Sequence, residues 1–192
     1  MKSALPLCCL LLAGCPESVG QQCPPFAAAL GHYSLAFAGQ HPANECTLTT
    51  AVDGGAADAS VTRLLTADDG GVTLATLCAG AGADGGALLY LVAGGKDLFS
   101  GRLDADGGFS ILNTTGAAGG TACLCQVARD EAFIGTLTAA GDGGVTRLSD
   151  GGLPPITGLA ATLVDHLTTP DTSGCACNLP CDVRYVITGT RL

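Results

Sequence analysis

The sequence predicts an all-β fold: an antiparallel meander, closed as a barrel or folded as a two-sheet sandwich, and stapled by disulfides. Three observations carry that prediction. Asp-Gly-Gly recurs six times, starting at Asp53, Asp69, Asp84, Asp106, Asp142 and Asp150, between runs rich in Val, Leu, Ile and Thr. Asp-Gly suits tight hairpin turns, where the backbone must take positive φ. Several of the intervening runs alternate apolar and polar residues, the period of a half-buried strand, and no long amphipathic helix interrupts them. The chain also carries 11 cysteines in 192 residues, enough for several bridges.

Bulk composition narrows the class further. At 47% hydrophobic and 13% charged, the chain has apolar surface to bury and is not a disordered polyelectrolyte. A net charge of −9 excludes nucleic acid as a partner, because phosphate recognition needs a basic surface. The length suits one domain, and 4% aromatic residues leave the core to aliphatic side chains.

At the N-terminus, Lys2 supplies a positive charge, and residues 4–14 form an apolar run broken only by Pro6. Spanning a bilayer takes about 20 apolar residues, so this run reads as a signal peptide over residues 1–14. It closes on Leu12-Ala13-Gly14-Cys15. These four residues resemble the lipobox of bacterial lipoprotein precursors: Leu, two small residues, then Cys. The resemblance implies cleavage after Gly14, a diacylglyceryl group on the Cys15 thiol and acylation of the new amine. Membrane lipid would then be a partner, held through Cys15. Two or three acyl chains anchor firmly where one binds marginally, so no transmembrane helix is required. Pro16 stands where an Asp would favour inner-membrane retention, which points to the outer membrane of the cell envelope, on either face. Residues 15–30 read as a lipidated terminus and tether, and residues 31–192 as the all-β domain.

Along that domain the strand candidates are residues 33–38, 46–52, 60–66, 72–78 and 87–92. Residues 97–103 and 109–113 form a hairpin around the turn at Asp106, with Phe99, Gly101, Leu103, Phe109 and Ile111 on one apolar face. Residues 121–128 and 132–138 flank the charged triplet 129–131, read as another short hairpin. Residues 160–168 fit either a strand or two helical turns, and residues 182–191 form a strong β-branched strand. Residues 139–158, with two Asp-Gly-Gly groups and Pro154-Pro155, read as a long exposed excursion. The expected total is about nine strands.

Processing would discard Cys8 and Cys9, and lipidation would use Cys15. Eight thiols remain: Cys23, Cys46, Cys78, Cys123, Cys125, Cys175, Cys177 and Cys181. An even number in an oxidising compartment implies four disulfides, with about a hundred possible pairings. Cys123 and Cys125 share a strand face but lie too far apart to join each other, so each needs a different partner. The turn-rich cluster of Cys175, Cys177 and Cys181 is the expected source. Zinc or copper(I) is the competing use of such thiols, but the spacing lacks Cys-x-x-Cys pairs, and no metal or other cofactor is expected. Calcium fares no better. A loop starting at Asp104 has Phe109 where an EF-hand needs glycine, and no closing Glu.

Catalytic constellations are not evident. The histidines are His32, His41 and His166, with no Gly-x-Ser-x-Gly elbow and no His-Glu-x-x-His pattern. Asp165-His166 reads as a polar strand position. The glycine loops lack a P-loop Lys, and their aspartates oppose an anion. Gly31-His32-Tyr33 at the first strand resembles the Gly-x-Trp of lipocalins, with Tyr in place of Trp. Arg191 near the end of the last strand resembles the lipocalin arginine that packs on that ring. The expected function is therefore a non-catalytic structural or interaction module, anchored through Cys15 and partnered by an envelope protein. The alternative implied by the second resemblance is a lipocalin-like barrel that binds a small apolar ligand.

Overall fold

A computed structural model of the protein describes residues 23–46, 65, 70–82, 86–93, 97–120, 125–141, 145, 152–170, 175 and 177–192. Eight strands account for most of them: β1 (Ala27–Gln40), β2 (Val72–Ala81), β3 (Ala87–Ala93), β4 (Asp97–Leu103), β5 (Gly108–Gly120), β6 (Cys125–Ala139), β7 (Ile156–Thr168) and β8 (Cys181–Arg191). Each pairs antiparallel with its sequence neighbour, and β8 pairs back onto β1, so the sheet closes as an up-and-down barrel. Of barrel and sandwich, the barrel is what forms. Closure leaves no exposed edge to template pairing with another chain.

Alternation sorts the side chains. Tyr33, Leu35, Leu77, Leu89, Leu91, Ile111, Phe133, Leu163 and Ile187 point inward and merge into one buried cluster. On the outer wall Thr136, Thr138, Thr188 and Thr190 alternate with them, together with charged Asp130 and Arg184 and with large apolar side chains. The outer wall is mixed, because Val72, Leu74, Leu98, Leu112, Ile134 and Val186 are exposed on it beside the hydroxyl and charged groups, while the interior is apolar.

The turn at Asp106 forms as the sequence predicts. The Asp104 amide donates to the Gly108 carbonyl (2.7 Å), the Gly107 amide to the Asp104 carbonyl (3.1 Å), and the Gly108 amide to Asp106 Oδ1 (3.0 Å). An Asp side chain that caps the backbone two residues on is the reason this residue favours turns. Leu103, Phe109 and Ile111 enter the core from the two sides of that turn, and Phe99 packs against it.

Several expectations are corrected. No hairpin breaks residues 129–131; β6 runs unbroken from Cys125 to Ala139, because Arg129 and Glu131 are buried in the barrel rather than exposed in a turn. Residues 160–168 are strand, within β7. Strand β1 begins at Ala27 and Cys23 is bonded into the wall, so the barrel starts inside the stretch assigned to the tether. The stretch 139–158 is not wholly exposed, since Val145 is buried in the core and Leu153 packs against it. The strands expected at 47–52 and 60–64 lie outside the described residues, although Leu65 itself is a core residue.

Candidate functional site

The barrel has two ends. The N-terminal mouth gathers the start of β1, the end of β8 and the β2–β3, β4–β5 and β6–β7 connections, and the opposite end gathers the other four connections. At the opposite end Cys46 joins Cys181 and Cys125 joins Cys175, packed with Leu167, Val127, Leu179 and the also disulfide-bonded Cys177. Cys175 thus meets the Cys125 strand as expected. Cys181 does not; it is drawn to Cys46, which a parallel bridge between Glu45 and Asp182 brings alongside. Near the mouth Cys23 joins Cys78 on β2. Bridges of this kind persist in oxidising compartments, so the pairs point to an extracytoplasmic location. Cys123 and Cys15 lie outside the described residues.

Between the disulfide cluster and the apolar core lies a buried ionic layer that the sequence reading missed. Arg129, Glu131 and Asp165 are 4%, 2% and 1% exposed. Arg129 Nε stands 3.1 Å from Asp165 Oδ1, and Asn113 Nδ2 donates to Glu131 Oε2 at 2.8 Å. Glu131 and Asp165 face each other across β6 and β7, so sheet register places two carboxylates and a guanidinium together. Charges buried in this way are retained only when paired and hydrogen-bonded.

Asp165 and His166, adjacent in sequence, diverge. Asp165 points into the ionic layer, while His166 is half-exposed on the outer wall with Nδ1 2.6 Å from Asp182 Oδ1. Asn44 Nδ2 donates to the other Asp182 oxygen at 2.9 Å. The His166 hydrogen bond, helped by Asn44, holds the Asp182 carboxyl below its ordinary value against a smaller opposing effect of burial. Among the described residues the hydrogen-bond partner of His166 is this carboxylate. His32 Nδ1 lies 2.9 Å from Thr76 Oγ1, and exposed His41 lies 2.6 Å from Glu45. Among the described residues no group of three His, Cys, Asp or Glu side chains is placed to hold a metal ion.

At the mouth, Tyr33 and Arg191 are cross-strand partners. Tyr33 Oη donates to the Ile156 carbonyl at 3.2 Å, with the Leu30 carbonyl at 3.3 Å, and Arg191 Nη1 reaches the same Ile156 carbonyl at 3.4 Å. Gly31, at φ +140°, makes room for this: a Cβ there would stand 2.9 Å from Arg191 Nε. Burial pushes the Tyr33 phenol above its ordinary value, partly opposed by the Arg191 charge. The two residues that carry the lipocalin resemblance therefore meet at the closed seam of the barrel.

Beside them a groove of about 670 Å³ opens at the mouth. Its walls come from Phe26, Leu30, Ala79, Ala87, Leu103 and Leu153, with further Ala and Gly, and among the described residues every lining side chain is apolar.

No protein-family model matches this chain, and neither curated proteins nor solved structures yield a match. The fold and geometry define an eight-stranded, closed antiparallel barrel stapled by disulfides.

Proposed function

We propose that the protein is a lipid-anchored module of the bacterial cell envelope, tethered through acylated Cys15 and acting by interaction rather than catalysis. The observation that carries this reading is the filled interior. Large side chains from every strand meet along the barrel axis, where an interior-binding barrel keeps a cavity. Disulfides at both ends and an ionic layer below the core favour a rigid scaffold held outside the cytosol. The lipobox supplies the anchor, and the outer-membrane assignment rests on Pro16. An envelope protein is the partner class, met by the exposed outer wall. The packed core leaves the lipocalin-like alternative of an apolar ligand only the groove at the mouth.

Membrane fractionation tests the proposal. In a lipoprotein-processing bacterium the wild-type chain is expected in the membrane fraction, and Cys15→Ser in the soluble exported fraction or as uncleaved precursor. Identical partitioning of the two would overturn the anchored reading.

A further inference from the structure

We infer that the groove at the N-terminal mouth is a binding site for an acyl chain, and that its occupant is one of the chains carried by Cys15. The inference rests on the proposed lipidation and adds where the lipid goes.

The chemistry of the lining selects the ligand class. Phe26, Leu30, Leu103 and Leu153 form the sides, and Ala79, Ala81 and Ala87 supply small side chains around the slot. Among the described residues the lining side chains are all apolar and the polar part of the wall is backbone, so the side chains suit a hydrocarbon. A volume of about 670 Å³ is within the size range of small-ligand pockets.

The position of the chain end selects the occupant. Cys23 is bonded to Cys78, which lies on β2 just before lining residues Ala79, Gly80 and Ala81. Cys15 is eight residues upstream, a span of roughly 26–29 Å at full extension. The anchored lipid therefore starts within reach of the groove. Phe26, 69% exposed, lines the groove and packs edge-on against Tyr90 at 5.9 Å.

Ala105 lines the groove at the turn of Asp104 and Asp106, where Asp104 pairs with Arg102 at 2.6 Å and Asp106 is exposed. The rim therefore carries charges of both signs, and the apolar side chains lie inside the groove.

The test uses the mature, acylated chain, produced with ¹³C-labelled acyl groups and held in deuterated detergent. Nuclear Overhauser contacts are expected from acyl methylenes to the methyls of Ala79, Ala81 and Ala87. Ala87→Leu, or Ala81→Leu if that variant does not fold, should abolish them while leaving the amide spectrum of the rest of the barrel in place. Acyl mass on Cys15 with contacts only to detergent would overturn this inference and leave the anchor intact. So would contacts to Ala87 from the chain's own residues 146–151 in place of the lipid. An unacylated Cys15 would overturn the anchor, and this inference with it.

Discussion

Tyr33 and Arg191, 158 residues apart in sequence, converge on a single acceptor, the carbonyl of Ile156. This three-strand junction ties the first strand, the last strand and the start of β7 at the seam where the barrel closes. Tyr33→Phe removes the hydroxyl and should cost about 1 kcal/mol in denaturant unfolding at neutral pH. The phenol is neutral when buried and its pKa is raised, so its contribution is complete below the ordinary value of 10.0. It is lost as pH rises past that value toward the folded one. The gap between wild type and Tyr33→Phe should therefore narrow above pH 10 and stay constant below it.

Arg129 is the cation of the buried ionic layer. Removing it leaves the Asp165 and Glu131 carboxylates buried beside each other without their guanidinium. Arg129→Ala should cost about 3–5 kcal/mol in equilibrium unfolding. Replacing all three together by apolar residues of similar volume should cost far less, because the desolvation penalty leaves with the charges. A single-variant loss below about 1 kcal/mol would contradict the ionic layer as described.

Gly101 lies where β4 and β5 cross closely. A Cβ there would fall 2.0 Å from the Ser110 carbonyl oxygen and 2.6 Å from the Ile111 Cα, both backbone atoms that cannot step aside. Gly101→Ala should destabilise the barrel by about 3 kcal/mol, at the upper end of overpacking effects. Gly70→Ala is the control. It has φ +72° but open space around it, and should cost about 1 kcal/mol, for backbone strain alone. Thermal unfolding of the two variants side by side checks the order.

Asp182 has a lowered pKa, set first by the His166 hydrogen bond. A carboxylate held this way adds stability that is complete above its ordinary value of 3.8 and is lost as pH falls through the lowered value. Asp182→Asn should therefore be less stable than wild type at pH 5–6, with the difference closing below about pH 4. A gap that widens on acidification would reverse the assigned sign.

What was legible in the sequence, and what was not, follows from the range of the interactions. The turn at Asp106 is local: its hydrogen bonds lie within five residues, so Asp-Gly-Gly announces it. The alternation of Leu103, Phe109 and Ile111 is local as well, and gave the right face. Arg129 and Glu131 misled because charges usually mark solvent, and their partners Asp165 and Asn113 are distant in sequence and adjacent only once the strands pair. The same holds for Cys181, whose partner Cys46 is 135 residues away. Barrel and sandwich share turns and strand periods, and the β1–β8 pairing that separates them leaves no local trace. Tyr33 and Arg191 were found through a resemblance, whereas the apolar groove is assembled from alanines and glycines that carry no signal singly.

The intact mass of the mature protein, purified from membranes under conditions that preserve disulfides, tests the central claim most directly. The account predicts a chain beginning at Cys15 that carries two or three acyl groups and no free thiol among the eight remaining cysteines. A chain that keeps residues 1–14, or an unmodified Cys15, would contradict it.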